Sequence, residues 1–495
     1  MTEKDLKLVR DYQKETILFV YIGSLLNWDQ QTYMPKKGIN SRAEQSSILS
    51  SLIHKKLTSN ELFSALKRLK NKKLSFTDAI MVKRLYKIVD KSRKVPEKFV
   101  KELSKAKTLA FSAWERAREK NDFGVFSPHL EKLVKLKQQE ARYVKLPDHL
   151  YNSLIDEFEE GMTVEKLKPI FERLKKELIV LIKKIEASSV YKNQKSIMDK
   201  KFDRNLQLGL CKDVMKKIGL DEESSRIDTA QHPLTATIGT EDIRITTNVR
   251  EHPLFAFEST IHEAGHALYE KNMPPKYNYT VLRSSPSMGL HESQSRFWEN
   301  MISKSKPFLT YYFPIFKKNF NLNENFEDWY KLFNLVTPGM IRVESDEIHY
   351  CLHIILRFEI EMGLMDGTIK VKDLPQVWNK KMNELFGFTP ENDNKGVLQD
   401  VHWSEGWFGY FPSYAIGSIY AAQLYDSLKR KIPEIDRDIE KGDFTRISTW
   451  LADNVHKYGF TYLAEEIIKK ACGEGLNPEV YIKYLTNKYK EIYKF

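Results

Sequence analysis

His262-Glu263-Ala264-Gly265-His266 is the stretch on which the reading of this chain turns. In a helix the two histidines stand one turn apart, so both imidazoles leave the same face and can grip one metal ion. Glu263 sits beside them, where a carboxylate can take a proton from water held at that ion. The bland alternative is two ordinary surface histidines on an amphipathic helix. The flanks favour a buried, functional helix. Pro253, after His252, suits a first helical position, where a missing N–H costs nothing. Phe255, Ile261, Ala264 and Leu268 are spaced to pack one side, while His262, Glu263, His266 and Tyr269 lie toward another. Met273-Pro274-Pro275 then stops the helix.

A tetrahedral catalytic metal needs a third protein ligand and must leave one position for water. Two carboxylates offer themselves on a stretch, Leu290 to Lys304, that reads as a second helix crossing the first. Glu292 lies in His291-Glu292-Ser293-Gln294-Ser295-Arg296, and Glu299 is its rival two turns further along. Spacing leaves the choice open, and most helix glutamates are merely solvated.

Further motifs lie along the whole chain. They are WDQQTYMP (28–35) with RAEQ (42–45), YNSLIDEFEEGMT (151–163) and DIRIT (242–246). HEAGHALYE and HESQSRFWEN follow, then IRVESD (341–346), GVLQDVHW (396–403) and GYFPSY (409–414). In this order they resemble the carboxypeptidase Taq family of metallopeptidases, nearly end to end. The resemblance implies a mainly α, two-lobed fold around a deep groove, with a small antiparallel β-sheet along one wall. It also implies a homodimer that trims amino acids from peptide carboxyl termini with zinc or sometimes cobalt, and it favours Glu292 as third ligand. Departures are few: Ser345 stands where alanine is usual, His349 where a threonine-like residue is usual, and Leu234 where an aromatic is commoner. None touches a proposed ligand or the base.

At 495 residues the chain is long enough for a large core, read here as a single catalytic domain over 1–495. Hydrophobic content of 41% and charge of 29% fit a soluble globular protein. A net charge of +12 raises the question of nucleic acid. Lysines are interleaved with acids, as in Glu165-Lys166-Leu167-Lys168, basic runs such as Lys70-Asn71-Lys72-Lys73 are short, and no nucleic-acid motif appears, which argues against such a role. Cys211, Cys351 and Cys472 are odd in number and far apart, as expected of free thiols in a reducing cytoplasm. The run Ile17 to Ile22 lacks the flanks of a signal peptide and reads as a packed helix. No stretch has the length of apolar sequence a membrane span needs. A cytoplasmic protein is expected.

Helical periodicity dominates, as in Leu130-Leu133-Leu136 and Leu174-Leu178-Leu181-Ile185. The clearest strand is Asp242 to Val249, just before the metal helix; in a related metallopeptidase architecture such a strand edges the cleft and can pair with an extended peptide, and an ordinary sheet strand is the compatible alternative. Residues 1 to about 90 read as a helical, lid-like layer.

Removing a terminal residue also requires a group for the free carboxylate and donors for the developing oxyanion. Arginine's planar fork suits the carboxylate. Arg342 is the leading candidate and Arg244 the second; a structural ion pair is the alternative for each. His402 and Tyr410, in a glycine- and aromatic-rich loop, can donate to oxyanion or carboxylate, or can simply pack. Gln399 and Asp400 can orient these groups or a metal-bound histidine, as can His232 and His291. The expected mechanism has zinc on His262, His266 and Glu292, with Glu263 as base and then as acid toward the departing amine. An endo-acting oligopeptidase on a similar fold would share the metal site but need no carboxylate clamp, and a non-catalytic peptide-binding protein is disfavoured by the intact Glu263.

Overall fold

The computed structural model describes residues 2–193, 202–250 and 254–495, and the chain is mostly helical. His252 and Pro253, read above as a helix start, lie outside the described residues.

Four helices open the chain: Thr2–Thr32, Ile39–Leu57, Asn60–Lys70 and Phe76–Lys94. Ser59 and Ser75 cap the last two by accepting from the N–H groups of Leu62 and Asp78, which satisfies donors the first turn leaves over. Leu62, Ala65, Leu66 and Leu69 recur at helical spacing and bury against Val9, Met81, Val82, Leu85 and Val89. This small core is separate from the main one, and Tyr277 and Leu282 contribute to it. The run Ile17 to Ile22 is helical as expected but not packed: Leu18, Val20 and Ile22 are 40%, 46% and 49% exposed. Its helix buries Val9 and Gln13 near the start and Trp28 near the end, leaving the middle at the surface.

The leucines of Phe123–Val144 and Val164–Ala187 that set the helical period are all buried in the main core, which runs on to the carboxyl-terminal helix Pro478–Tyr493. All three cysteines are free and buried. Among the described residues no helix is long and apolar enough to cross a membrane.

The sheet has three strands, β1 (Ser225–Thr229), β2 (Thr235–Gly239) and β3 (Asp242–Thr247), in the order β1-β3-β2. It is mixed, not antiparallel throughout. A tight turn returns β2 antiparallel into β3, with Thr235 opposite Ile245, whereas residues 230–234 carry the chain from one sheet edge to the other, so β1 lies parallel to β3. Ile243 and Ile245 alternate inward as the pattern required. Because β3 is paired on both sides, it has no free edge for an extended peptide.

The metal helix, Phe255–Lys271, follows and is tied to the end of β3 by the Thr247 hydroxyl, which donates to the Ala256 carbonyl at 3.0 Å. A crossing helix, Met288–Arg296, starts at Ser287, whose Oγ accepts the Leu290 N–H. It does not continue regularly to Lys304: Phe297–Ser303 is π-helical, an insertion that turns side chains onto a new face. The two helices touch at Gly265, where a Cβ would stand 2.7 Å from the Gln294 carbonyl oxygen and the Ser295 Cα. A third helix, Phe411–Lys431, closes on the crossing helix at Gly417, where a Cβ would lie 2.7 Å from Glu292 Cγ.

Candidate metal centre

His262 and His266 leave the metal helix on one face, their ring centroids 5.0 Å apart, and Glu292 reaches them from the crossing helix. Their ligand atoms all lie within 4.8 Å of one another. Glu292 Oε2 is 3.8 Å from His262 Nε2 and 3.5 Å from His266 Nε2. Tetrahedral zinc with bonds of about 2.0–2.1 Å sets neighbouring ligand atoms roughly 3.3–3.4 Å apart, so this set fits such an ion with little movement. Two imidazoles and one carboxylate are also the donor chemistry such an ion prefers.

Glu299, the rival carboxylate, stands behind His262 instead: its Oε2 is 2.7 Å from Nδ1, which leaves Nε2 for the metal. The π-helical segment puts it there. Arg296 joins the two glutamates, donating from Nε to Glu292 Oε1 at 2.7 Å and from Nη1 to Glu299 Oε2 at 3.2 Å. Burial works against charge on Glu292, yet Arg296 and the histidines hold it well below the usual carboxylate range. Burial also opposes a charged His262, but Glu292 and Glu299 outweigh it and lift the ring to about 9. His266 is pulled down to about 3, by burial first and then by His291. The His291 ring stacks on His266 at 4.4 Å and has Glu270 Oε1 at 3.1 Å from its Nε2. His266 Nδ1 is buried with no hydrogen-bond partner among the described residues, so stacking, not a second carboxylate, steadies this ring.

Glu263 is buried, and the Thr235 hydroxyl of β2 donates to its Oε2 at 2.6 Å. Burial lifts its carboxyl above the ordinary range, against the pull of His262 and Thr235. A cavity of about 210 Å³ opens on this carboxylate, and Thr235, His266, His291, Glu292, Tyr410 and Tyr414 also line it.

The residues expected to meet substrate divide into two groups. Arg244 is closed on Asp242, with Nε and Nη2 donating to the two carboxylate oxygens at 2.8 and 2.7 Å; like Arg342 and His402 it does not line the cavity, which of the expected substrate groups only Tyr410 reaches among the described residues. Arg342 is buried beside the aromatic wall, its guanidinium carbon 5.1 Å from the Tyr414 ring centroid. Its Nε donates to Asp400 at 2.9 Å and its Nη1 to the Tyr350 hydroxyl at 3.2 Å. Asp400 also accepts from Arg357 Nε at 2.6 Å, and Gln399 Oε1 accepts from the Arg342 amide and Arg357 Nη2. Gln399 and Asp400 therefore orient arginines and not a metal-ligating histidine. His402 places Nε2 3.1 Å from the Tyr414 hydroxyl, and its buried Nδ1, 4.0 Å from Asp400 Oδ1, lacks a hydrogen-bond partner among the described residues. Burial, then Arg342, drives this imidazole down to about 3, so it is neutral at physiological pH. Tyr410 lines the cavity and packs edge-on against Phe158 at 5.0 Å. His232 is exposed, and its carbonyl accepts from the Thr246 hydroxyl.

Thr235, Arg296, Tyr350, Arg357 and Tyr414 were not singled out from sequence. Arg296 carried the one available signal, since it stands four residues after Glu292. The others reach the site from distant segments.

The model for carboxypeptidase Taq (M32) metallopeptidases matches residues 8–489. The chain is 39% identical over 480 residues to carboxypeptidase 1 of Bacillus subtilis, covering 95% of each. It is 36% identical over 471 residues to thermostable carboxypeptidase 1 of Pyrococcus furiosus, covering 94% of each. The crystal structure of the M32 carboxypeptidase from Deinococcus radiodurans R1 superposes with a TM-score of 0.97 at 34% identity, covering 99% of this chain and 100% of that one. Over essentially its whole length, then, this chain belongs to the carboxypeptidase Taq (M32) metallopeptidases, and it is a metallocarboxypeptidase.

Proposed function

We propose that the ion is zinc, with cobalt as a working substitute, held by His262, His266 and Glu292, and that the substrates are peptides with a free carboxyl terminus. The observation that carries this reading is the grouping of those three ligands within 4.8 Å of one another, beside a cavity that His266, Glu292, Glu263 and Tyr410 line. When bound, such an ion supplies a Lewis acid that polarises the scissile carbonyl and acidifies water. Glu263 takes the proton of the attacking water on a carboxylate that burial raises above its ordinary range. Thr235 fixes the orientation of that carboxylate, and Glu263 then returns the proton to the leaving amine. Tyr410 donates its phenolic hydrogen to the oxyanion as it forms. Arg342 binds the terminal carboxylate with the Nη2 donors left after Asp400 and Tyr350 have taken Nε and Nη1.

The purified protein should release the last residue of a free-carboxylate peptide, read by mass, and should spare its amidated twin. A chelator should stop the release and zinc or cobalt should restore it. Internal fragments from both peptides would sink the exopeptidase assignment.

A homodimer in the cytoplasm completes the proposal. Three buried free thiols fit a reducing compartment. Leu18, Ile22 and Leu25 form an exposed apolar stripe on the first helix, with Ile48 and Leu52 exposed on the second, a surface suited to a partner copy. Sedimentation at the monomer mass would remove the dimer from this reading.

A further inference from the structure

The metal ligands and the arginine assigned to the terminal carboxylate sit on different segments, and one side chain joins them by touching that arginine and Arg296, the partner of the ligand Glu292. Tyr350, buried on the helix Glu347–Asp366, carries the Arg296 guanidinium over its ring at 4.2 Å from the centroid. Its hydroxyl accepts from Arg342 Nη1 at 3.2 Å. Arg296 is in turn fixed on the ligand Glu292 and on Glu299, and Arg342 is fixed on Asp400. Two cations largely withdrawn from water repel at close quarters, and here the electron-rich face of one phenol holds the first while its oxygen holds the second. The ring also meets Tyr414 edge-on at 6.1 Å, so its own placement is set by packing.

We propose that Tyr350 is a positioning residue that fixes the spacing between the metal ligands and Arg342, and so selects peptides whose carboxylate lies one residue beyond the scissile bond. This rests on the reading of Arg342 as the carboxylate-binding group. An arginine forks onto a carboxylate only when its plane is already aligned. Asp400 restrains Arg342 at Nε alone, and Tyr350 supplies the second point that stops the plane from rotating.

Tyr350→Phe tests this with the least disturbance, because the ring stays against Arg296 and only the acceptor is lost. Loss of a hydrogen bond to a charged group predicts a rise in KM of about tenfold for a free-carboxylate peptide, with kcat changed by less than about threefold. Metal content should not change. In an Arg342→Ala background, which should itself raise KM, adding Tyr350→Phe should move KM by less than about twofold, since both changes then act through one group. Tyr350→Leu removes the ring as well, and its metal should pass faster to a competing chelator, a readout independent of turnover. If Arg342→Ala raises KM while Tyr350→Phe leaves it unaltered, the clamp stands and the role of Tyr350 is refuted. Additive effects in the double variant would refute it as well. An unaltered KM in Arg342→Ala would remove the clamp and Tyr350's role with it.

Discussion

Glu263 and Glu299 are both glutamates near His262, the first buried and the second partly so, and their chemistry differs because of what each oxygen faces. Glu263 is held from β2 by Thr235 and looks into the cavity, whereas Glu299 is spent on His262 Nδ1. Glu263→Gln should therefore keep a full complement of metal and lose roughly two to four orders of magnitude in kcat, as general bases do. Elemental analysis beside steady-state kinetics checks both halves. Glu292→Ala should abolish metal retention on dialysis. Glu299→Ala should weaken it by about ten- to a hundredfold without abolishing it, the usual cost of losing a carboxylate behind a ligating histidine. Competition with a chromogenic chelator separates the two; equal, complete loss would make Glu299 a ligand. Spacing alone left these glutamates as rivals, because both lie on one stretch of sequence and only the distance to each imidazole nitrogen tells ligand from support.

Helices and strands bring these side chains together from distant parts of the chain, and glycine permits it at two crossings. At Gly265 the metal helix and the crossing helix approach backbone to backbone, and at Gly417 the helix Phe411–Lys431 lies against the Glu292 side chain. Gly417→Ala should push Glu292 off its partners, so metal affinity should fall while the protein still folds. The overpacking cost should be about 1–3 kcal/mol, seen as a lower melting temperature, and retained metal with native affinity would contradict the prediction. The HEAGH helix was legible because apolar residues at helical spacing and the Met273-Pro274-Pro275 stop are local signals. The inward Ile243 and Ile245 marked a strand for the same reason. Its central place in a mixed sheet was not legible, since pairing on both sides depends on the path of residues 230–234. Neither was the π-helical segment, which depends on packing against other elements, nor the ion pair by which Asp242 fills the fork of Arg244.

At the scale of the whole molecule the site is anchored to the rest of the chain by buried carboxylates, and these make stability depend on pH. Glu159, at the end of the helix Asn152–Phe158, accepts from the Gly289 amide and, at 2.7 Å, from Ser413 Oγ. It thereby ties together the start of the helix that bears Glu292 and the start of the helix that closes over it. Burial lifts its carboxyl to about 7, with Ser413, Gly289 and Ser287 pulling the other way. The unfolded chain releases this proton near 4.5, so between that pH and about 7 the folded state binds more protons than the unfolded one. For this acid with a raised folded value, the contribution is fully present below about 4.5 and is lost as pH climbs toward 7. A shift of this size corresponds to at most about 3 kcal/mol. Glu159→Gln keeps an oxygen for Gly289 and Ser413 and cannot ionise. Its melting temperature should consequently fall less than that of the wild type between pH 5 and pH 7.5. Glu361, buried and lifted to about 7 in the same way, should leave a residual slope in the variant through its grip on Tyr151, Trp403 and Gly409. Parallel melting profiles for Glu159→Gln and wild type would mean that Glu159 is ionised in the fold throughout this range, and that its three donors outweigh its burial.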